Sequence, residues 1–272
     1  MSVQSSDMFD LSGRVAVITG GAGFLGRKHA EAIAEFGGRP VLVDVRADGA
    51  ADVAKEVVDR FHVAAIGIGA DITNPESVQA MTQQIVERFG QIDILINNAA
   101  MTVKYGADIR QQYFAPFEEY PLDLWETALK VNLTGMFLCT QAIGRVMGQR
   151  KKGVIINIAS DVGVISPDHR IYDGEHFNTP ISYTVSKTAV LGFTRHLATY
   201  WAEKNIRVNA LSPAGVFDNH TPAFVEKLAS RIPMGRMATP DEYKGAIVFL
   251  ASDASSFMTG ANLIIDGGRT SW

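Results

Sequence analysis

The segment Arg14–Gly26, "RVAVITGGAGFLG", passes from a β-branched run into a turn with glycines at 20, 23 and 26, and a helical pattern opens at its end. Glycine has no Cβ, so the chain can turn sharply there and admit an anionic group against the N–H groups of a helix start. Gly20, Gly23 and Gly26 are expected to shape a pyrophosphate-binding turn, with Phe24 and Leu25 supplying backbone to it. One strand later Asp44 closes "VLVD", near the spacing at which a carboxylate accepts ribose hydroxyls. Taken alone, Asp44 reads equally well as a cap on the helix containing "GAADVAKEVV". Joined to the glycine turn, it reads as a ribose ligand. A carboxylate there repels a 2′-phosphate, and the turn holds no basic residue, so the pattern favours NAD over NADP. Arg27, Lys28 and Arg46 lie close enough to keep NADP open.

Outward from this turn, short apolar runs alternate with longer helical patterns. Strands are expected at Arg14–Thr19, Pro40–Val45, Ala64–Gly69, Asp93–Asn98, Gly153–Ile158, Arg207–Ser212 and Asn262–Asp266. The runs are nearly continuous in apolar residues, as in strands covered on both faces of a parallel sheet. Helix starts are legible at Thr73 or Asn74 followed by Pro75 and Glu76, and again at Thr239-Pro240-Asp241-Glu242. No linker or internal repeat interrupts the alternation. The fold expected is one α/β domain over residues 1–272: a doubly wound, seven-stranded parallel sheet of Rossmann type with helices on both faces. Ligands of such sheets lie beyond the carboxyl ends of the strands, where strand order reverses.

Composition excludes several classes. A formal net charge of −4 gives no reason to expect nucleic acid or an acidic membrane surface as a partner. No window approaches the roughly 18 uninterrupted apolar residues of a membrane span, and the first ten residues lack a signal-peptide pattern. A cytoplasmic protein is expected. The single cysteine, Cys139, sits in an apolar helical run and reads as packing. No metal site is expected.

A second constellation carries chemistry. "YTVSK" sets Tyr183 and Lys187 four residues apart on one helix face. A phenol is a poor base at neutral pH, but a neighbouring ammonium favours its ionised form. Ser160, at the end of the fifth strand, can hydrogen-bond a reacting oxygen, and Asn132 can hold a water that passes protons to Lys187.

With these residues the chain closely resembles the short-chain dehydrogenase/reductase family, from "DLSGRVAVITGG" to "GANLIIDGG". The resemblance implies a catalytic tetrad of Asn132, Ser160, Tyr183 and Lys187. Tyr183 would be the acid/base, Lys187 its pKa-lowering partner and a ribose ligand, and Ser160 the stabiliser of the reacting oxygen. "NNAA", with Asn98 and Ala99, is similar to the floor of the family's cofactor cleft, and "ADI" to its adenine-contacting turn, here Asp71 and Ile72. "VNALSPAGV" is similar to the segment whose backbone receives the nicotinamide carboxamide, here near Pro213 and Val216. Two departures stand out. Phe24 replaces the middle glycine of the compact branch, giving the TGxxGxxG spacing of the extended branch, although the chain ends in a seventh strand like compact members. The threonine usual after "SPAGV" is also absent, leaving Asp218 or Asn219 to serve.

Two stretches are longer than the family needs, near 101–123 and 167–180; the second includes "PDHRIYDGEHFNTP". Both follow the carboxyl ends of strands and are expected to rim one pocket, unless they pack against a neighbouring subunit. Arg170, Tyr172 and His176 are the substrate contacts expected. Their polarity suits a polyhydroxylated or anionic small molecule. The inserts and "SPAGVFDN" also resemble oxidoreductases of bacterial flagellin-sugar and nonulosonate pathways. The expectation is an NAD-dependent oxidoreductase interconverting a secondary alcohol and a ketone on a sugar or sugar derivative, assembled as a homotetramer. A 3-oxoacyl or other small-ketone reductase using NADP, and a non-catalytic nucleotide-sensing regulator, are the alternatives.

Overall fold

The computed structural model describes residues 4–101, 109–172 and 178–272. In these the strands are β1 (Val15–Thr19), β2 (Arg39–Asp44), β3 (Ile66–Gly69), β4 (Ile94–Asn97), β5 (Gly153–Ile158), β6 (Ile206–Pro213) and β7 (Asn262–Ile265). All seven pair in parallel, in the order β3-β2-β1-β4-β5-β6-β7. The helices are α1 (Phe24–Glu35), α2 (Ala47–Phe61), α3 (Pro75–Phe89), α4 (Arg110–Tyr113), α5 (Leu122–Leu129), α6 (Met136–Arg150), α7 (Ile181–Tyr200), α8 (Pro222–Ala229) and α9 (Lys244–Ala251). Each strand lies within two residues of its expected position; β1, β2, β4, β5 and β6 are buried almost throughout, which leaves little room for another structure, while the edge strands β3 and β7 are only partly covered.

Side chains alternate across the sheet, so β1 feeds two cores. Ala16 and Ile18 join Ile33, Leu42, Val53 and Ile247 under α1, α2 and α9. Val15 and Val17 face the other way, onto Ile85, Ile143 and Leu197 of α3, α6 and α7. Cys139 is buried in that second core, and burial pushes its thiol up to about 12. The α3 start is capped by Asn74, whose Oδ1 accepts from Glu76 N at 2.8 Å and Ser77 N at 3.2 Å, with Pro75 in the first turn.

Strand order reverses at β1, which has β2 on one side and β4 on the other. The crevice beyond their carboxyl ends is where this topology puts a ligand. One helix departs from α geometry there. Between α5 and α6, Lys130–Gly135 forms a π turn, an irregularity that recurs at functional sites. Gly135 in that turn lets Ile72 approach, since a Cβ on it would lie 2.7 Å from the Ile72 Cδ1.

Candidate active site

The glycine turn closes on the end of β4. Gly20 has φ +64°, and a Cβ there would lie 2.9 Å from the Ala99 Cα, so a side chain is excluded on two grounds. A Cβ on Gly26 would fall onto the Gly20 carbonyl. Asn98 fastens the turn by donating from Nδ2 to Thr19 O at 2.9 Å and Gly20 O at 3.2 Å. The Thr19 hydroxyl accepts the backbone N–H of Asn98 and of Ala99, both at 3.1 Å. Gly23 caps α1, and Phe24, Leu25 and Gly26 form its first turn, where N–H groups have no helical carbonyl to reach. A bare concavity with helix N–H groups at its edge fits the pyrophosphate of a dinucleotide. Moving the middle glycine from 24 to 23 therefore leaves the turn intact, because Gly23 holds the cap and Phe24 already belongs to the helix. Beneath the turn, His29 is fully buried with no hydrogen-bond partner on either ring nitrogen. Burial pulls its pKa down to about 4, Asn98 opposing, so the ring is neutral at ordinary pH.

Asp44 ends β2 beside this turn. Its Oδ2 accepts Ala22 N at 3.1 Å and its Oδ1 accepts Arg46 N at 3.1 Å. It does not cap α2, whose N-cap is Arg46. The Arg46 Nε lies 3.5 Å from the same carboxylate and its side chain is largely exposed, so a cation accompanies the acid. Asp71 is exposed and turns its Oδ1 to Thr73 N and Thr73 Oγ1, both at 2.8 Å, while Ile72 is buried. At the far side of the crevice, Pro213 ends β6 and Val216 bridges Ala238. Asn219, one of the two residues left to replace the absent threonine, is in the left-handed region at φ 53°, and the other, Asp218, donates its N–H to His220 Nδ1.

The expected tetrad comes together from three elements. Ser160 follows β5 by two residues, Asn132 sits in the π turn, and Tyr183 and Lys187 stand on α7. Gly163 permits the approach, since a Cβ on it would meet the Lys187 carbonyl oxygen at 2.7 Å. Lys187 is buried and its Nζ donates to Ile158 O at 2.7 Å, 5.6 Å from the Tyr183 ring centroid. Burial pulls the ammonium down to about 8. Burial likewise pushes the Tyr183 phenol up to about 12, with the Ser160 hydroxyl beside it pulling the other way. Desolvation of the phenol dominates, and the neighbouring Asp161 and Tyr172 add to it. Asn132 is anchored at both ends of its amide. Its Oδ1 accepts Met101 N at 2.7 Å and its Nδ2 donates to Ser186 Oγ at 3.0 Å, so its side chain is committed to holding the β4 loop against α7.

The two long stretches meet over this site. Asn178 N donates to Phe114 O at 2.9 Å. Tyr113 is buried, donates to Met101 O at 3.1 Å, and lies near the phenols of Tyr120, Tyr172 and Tyr183; burial, with those neighbours, raises its own pKa. Nothing periodic marks Tyr113 in the sequence, which is why it escaped notice. The substrate contacts expected from sequence fare differently. Arg170 is 73% exposed and its guanidinium grips Asp168, Nε to Oδ1 at 2.7 Å and NH2 to Oδ2 at 2.8 Å. The carboxylate and fork are two residues apart, so this local ion pair forms before any ligand is needed. Asp168 also reaches Arg231 Nε at 2.9 Å, beyond α8. Tyr172 packs on Phe224 of α8, ring centroids 5.8 Å apart, within a small core of Ile171, Leu228 and Met237. His176 lies outside the described residues.

Residues 21–270 match a family model described as Enoyl-(Acyl carrier protein) reductase. The chain is 37% identical over 271 residues to D-threitol dehydrogenase of Mycolicibacterium smegmatis, covering 96% of this chain and 95% of that protein. It is 34% identical over 267 residues to the NAD-dependent glycerol dehydrogenase of Listeria innocua, covering 96% of each. Among solved structures, it superposes on a gluconate 5-dehydrogenase from Burkholderia cenocepacia in complex with NADP and tartrate with a TM-score of 0.88 and 33% identity, covering 99% of this chain and 100% of that one. Whole-length similarity at this level, on a doubly wound sheet with a glycine turn at its switch point, makes this chain a member of the short-chain dehydrogenase/reductase family and an NAD(P)-dependent alcohol dehydrogenase or ketoreductase.

Proposed function

We propose that this enzyme interconverts a secondary alcohol and a ketone on a polyol or sugar derivative, with NAD as its cofactor and Tyr183 as acid and base. The observation that carries the reading is the packing of Ser160, Tyr183 and Lys187 around the same crevice as the glycine turn. The backbone of Gly20–Gly26 would hold the pyrophosphate, Asp44 the adenine-side ribose, Asp71 and Ile72 the adenine, Lys187 the second ribose, and Pro213 and Val216 the carboxamide. When bound, the nicotinamide ring supplies or accepts the hydride, which no side chain can do.

The protein's own part is proton placement. A phenol with its pKa near 12 is a neutral donor at working pH, ready to protonate the oxygen of a ketone. In the opposite direction the phenol must first release its proton. Lys187, still charged below about pH 8, lowers the energy of the resulting phenolate. Ser160 hydrogen-bonds the same oxygen and fixes its position. Asn132, held by Met101 N and Ser186 Oγ, would keep the π turn in place and offer its remaining polar capacity to a water that passes protons to Lys187.

A polar substrate is supported by the hydroxyl-bearing side chains gathered near Tyr183, with the Ser160 hydroxyl beside it and the phenols of Tyr113 and Tyr172 close by. Relatives named for threitol, glycerol and gluconate point the same way. The test is a spectrophotometric screen of the purified protein with NAD or NADP against glycerol, tetritols, pentitols and sugar acids. Reduction of NAD by a polyol is expected. Activity confined to NADPH and 3-oxoacyl thioesters would favour the other reading.

A further inference from the structure

Just past the segment read as the carboxamide site, the chain makes a turn that the mechanism above does not use. Val216 is pinned on both sides, Ala238 N donating to Gly215 O at 3.1 Å and Phe217 N to Ala238 O at 2.9 Å. Directly after it, Asp218 N donates to the Nδ1 of His220 at 3.1 Å, around Asn219 in the left-handed region at φ 53°. A ring nitrogen that accepts carries no proton, so neutral His220 holds its proton on Nε2. Burial lowers the His220 pKa, Asp218 opposing, which favours the neutral ring that can accept. The ring is held in turn by its neighbours. It stacks on Phe224, centroids 5.1 Å and planes 20° apart, and the Phe217 ring lies 6.3 Å away. Phe224 belongs to the first turn of α8, after the cap at Thr221, and its other ring neighbour is Tyr172.

A left-handed residue other than glycine costs free energy that its surroundings must offset, although asparagine tolerates the region better than most. Here the Nδ1 bond closes the turn from within. The stack on Phe224 sets where α8 begins, in the manner of a hydrophobic staple. We propose that His220 is a positioning residue for the cofactor: through Nδ1 it locks the turn from Asp218 to His220 and so holds the Val216 backbone where the carboxamide is received. The inference rests on the reading of Pro213 and Val216 as the carboxamide segment. It also gives a place to the two residues left to serve for the absent threonine. Asp218 and Asn219 serve the turn with their backbones, and the side chain that closes it is that of His220. The role demands an acceptor at the place of Nδ1. A ring that only filled space beside Phe224 would have no effect at the cofactor.

The experiment titrates the unmodified protein, His220→Asn, His220→Gln and His220→Phe with NADH and with ADP-ribose, which lacks the nicotinamide, and records each thermal midpoint. Asparagine puts an amide oxygen where Nδ1 stands. Glutamine, one carbon longer, carries it past that place, and phenylalanine keeps the stacking face without an acceptor. NADH affinity should fall about 3–10-fold in His220→Phe and in His220→Gln, the worth of one hydrogen bond. ADP-ribose affinity should hold in both, because the adenine side of the crevice is built from other elements. His220→Asn should bind both ligands like the unmodified protein. Unchanged NADH affinity in His220→Phe and His220→Gln would overturn the proposal. So would a parallel loss of NADH and ADP-ribose, the mark of general loosening, or NADH binding in His220→Asn as weak as in His220→Phe. The glutamine variant carries the comparison if phenylalanine prevents folding. Failure of the unmodified protein to bind NADH would instead overturn the cofactor reading, and this inference with it.

Discussion

The backbone N–H of Asn178 donates to the carbonyl of Phe114 at 2.9 Å, joining the segment that precedes α7 to the one that follows α4. Two segments far apart in sequence are thereby joined. Tyr113, next to Phe114, is drawn inward to Met101, and Tyr172 is held on α8 by Phe224. The approach to Tyr183 is therefore bounded by three loops, each leaving the carboxyl end of a different strand.

Tyr183→Phe removes one hydroxyl from a site whose walls come from elsewhere. Turnover should fall by at least the roughly hundredfold typical of a lost acid–base group. NAD affinity and the thermal midpoint should change little. Stopped-flow and calorimetric measurements on one preparation check both, and near-normal turnover would remove Tyr183 from its assigned role.

Lys187 gives a prediction about stability with a definite sign. In the unfolded chain it keeps its proton to about pH 10.5, whereas in the folded protein it releases it at about pH 8. Between those values the unfolded state binds more protons, so this group adds stability as pH rises and detracts fully below pH 8. Lys187→Met should abolish turnover yet raise stability at pH 7 by roughly 1–3 kcal/mol, the gain from removing a buried charge less the lost bond to Ile158 O. That advantage should fade as pH climbs from 8 to 10.5. Denaturant midpoints at pH 7 and pH 10 test it; a destabilised variant at pH 7 would show that burial of the ammonium is not the dominant effect.

Much of this architecture is written in local pattern. A strand buried on both faces shows as an unbroken apolar run, so Val15–Thr19 and Gly153–Ile158 could be placed from sequence to within a residue, and Asn74-Pro75-Glu76 marks its helix start by cap chemistry. The tetrad was legible because helical spacing and family resemblance agree at Tyr183 and Lys187. What the sequence hides is the outcome of competition between groups. The fork of Arg170 meets Asp168, the Asn132 amide meets Met101 and Ser186, and burial pushes the Tyr183 phenol up. Asp161 and Arg269, an ion pair at 3.0 Å, lie 108 positions apart in the chain, and no local pattern joins them.

Cofactor choice turns on Asp44 and its companion. The carboxylate is fixed by Ala22 N and Arg46 N, and on the proposed reading it faces the ribose and repels a 2′-phosphate. We expect kcat/KM for NAD to exceed that for NADP, and Asp44→Ala to narrow the gap by removing the repulsion while freeing Arg46 to meet a phosphate. Equal use of both cofactors by the unmodified protein would show that Arg46 already cancels the acid.

The prediction on assembly starts from what the described residues leave uncovered. Phe137 on α6 and Val185 and Tyr200 on α7 are exposed, and Phe257 and Trp272 stand open elsewhere. Separate apolar patches suit a closed assembly with more than one two-fold axis. We expect a homotetramer, four times 29.5 kDa, by light scattering. A stable species of 29.5 kDa at assay concentration would refute this.

The last prediction concerns Asp168, which joins two segments beside the proposed substrate approach. It holds Arg170 on its own loop and Arg231 beyond α8, and these cations keep its carboxyl down at about 2, so the pairs persist across the working pH range. Both arginine partners are well exposed, and such pairs contribute only about 0–1 kcal/mol each to stability. Asp168→Ala should therefore leave the thermal midpoint nearly unchanged. It should, however, release the α8 side from the loop that carries Tyr172, so KM for the polyol should rise while KM for NAD and the kcat at saturation hold. Arg170→Ala should do less, because Arg231 still spans the two segments. If instead Arg170→Ala raises the polyol KM strongly while Asp168→Ala does not, the guanidinium touches substrate directly and the ion pair to Asp168 opens when substrate binds.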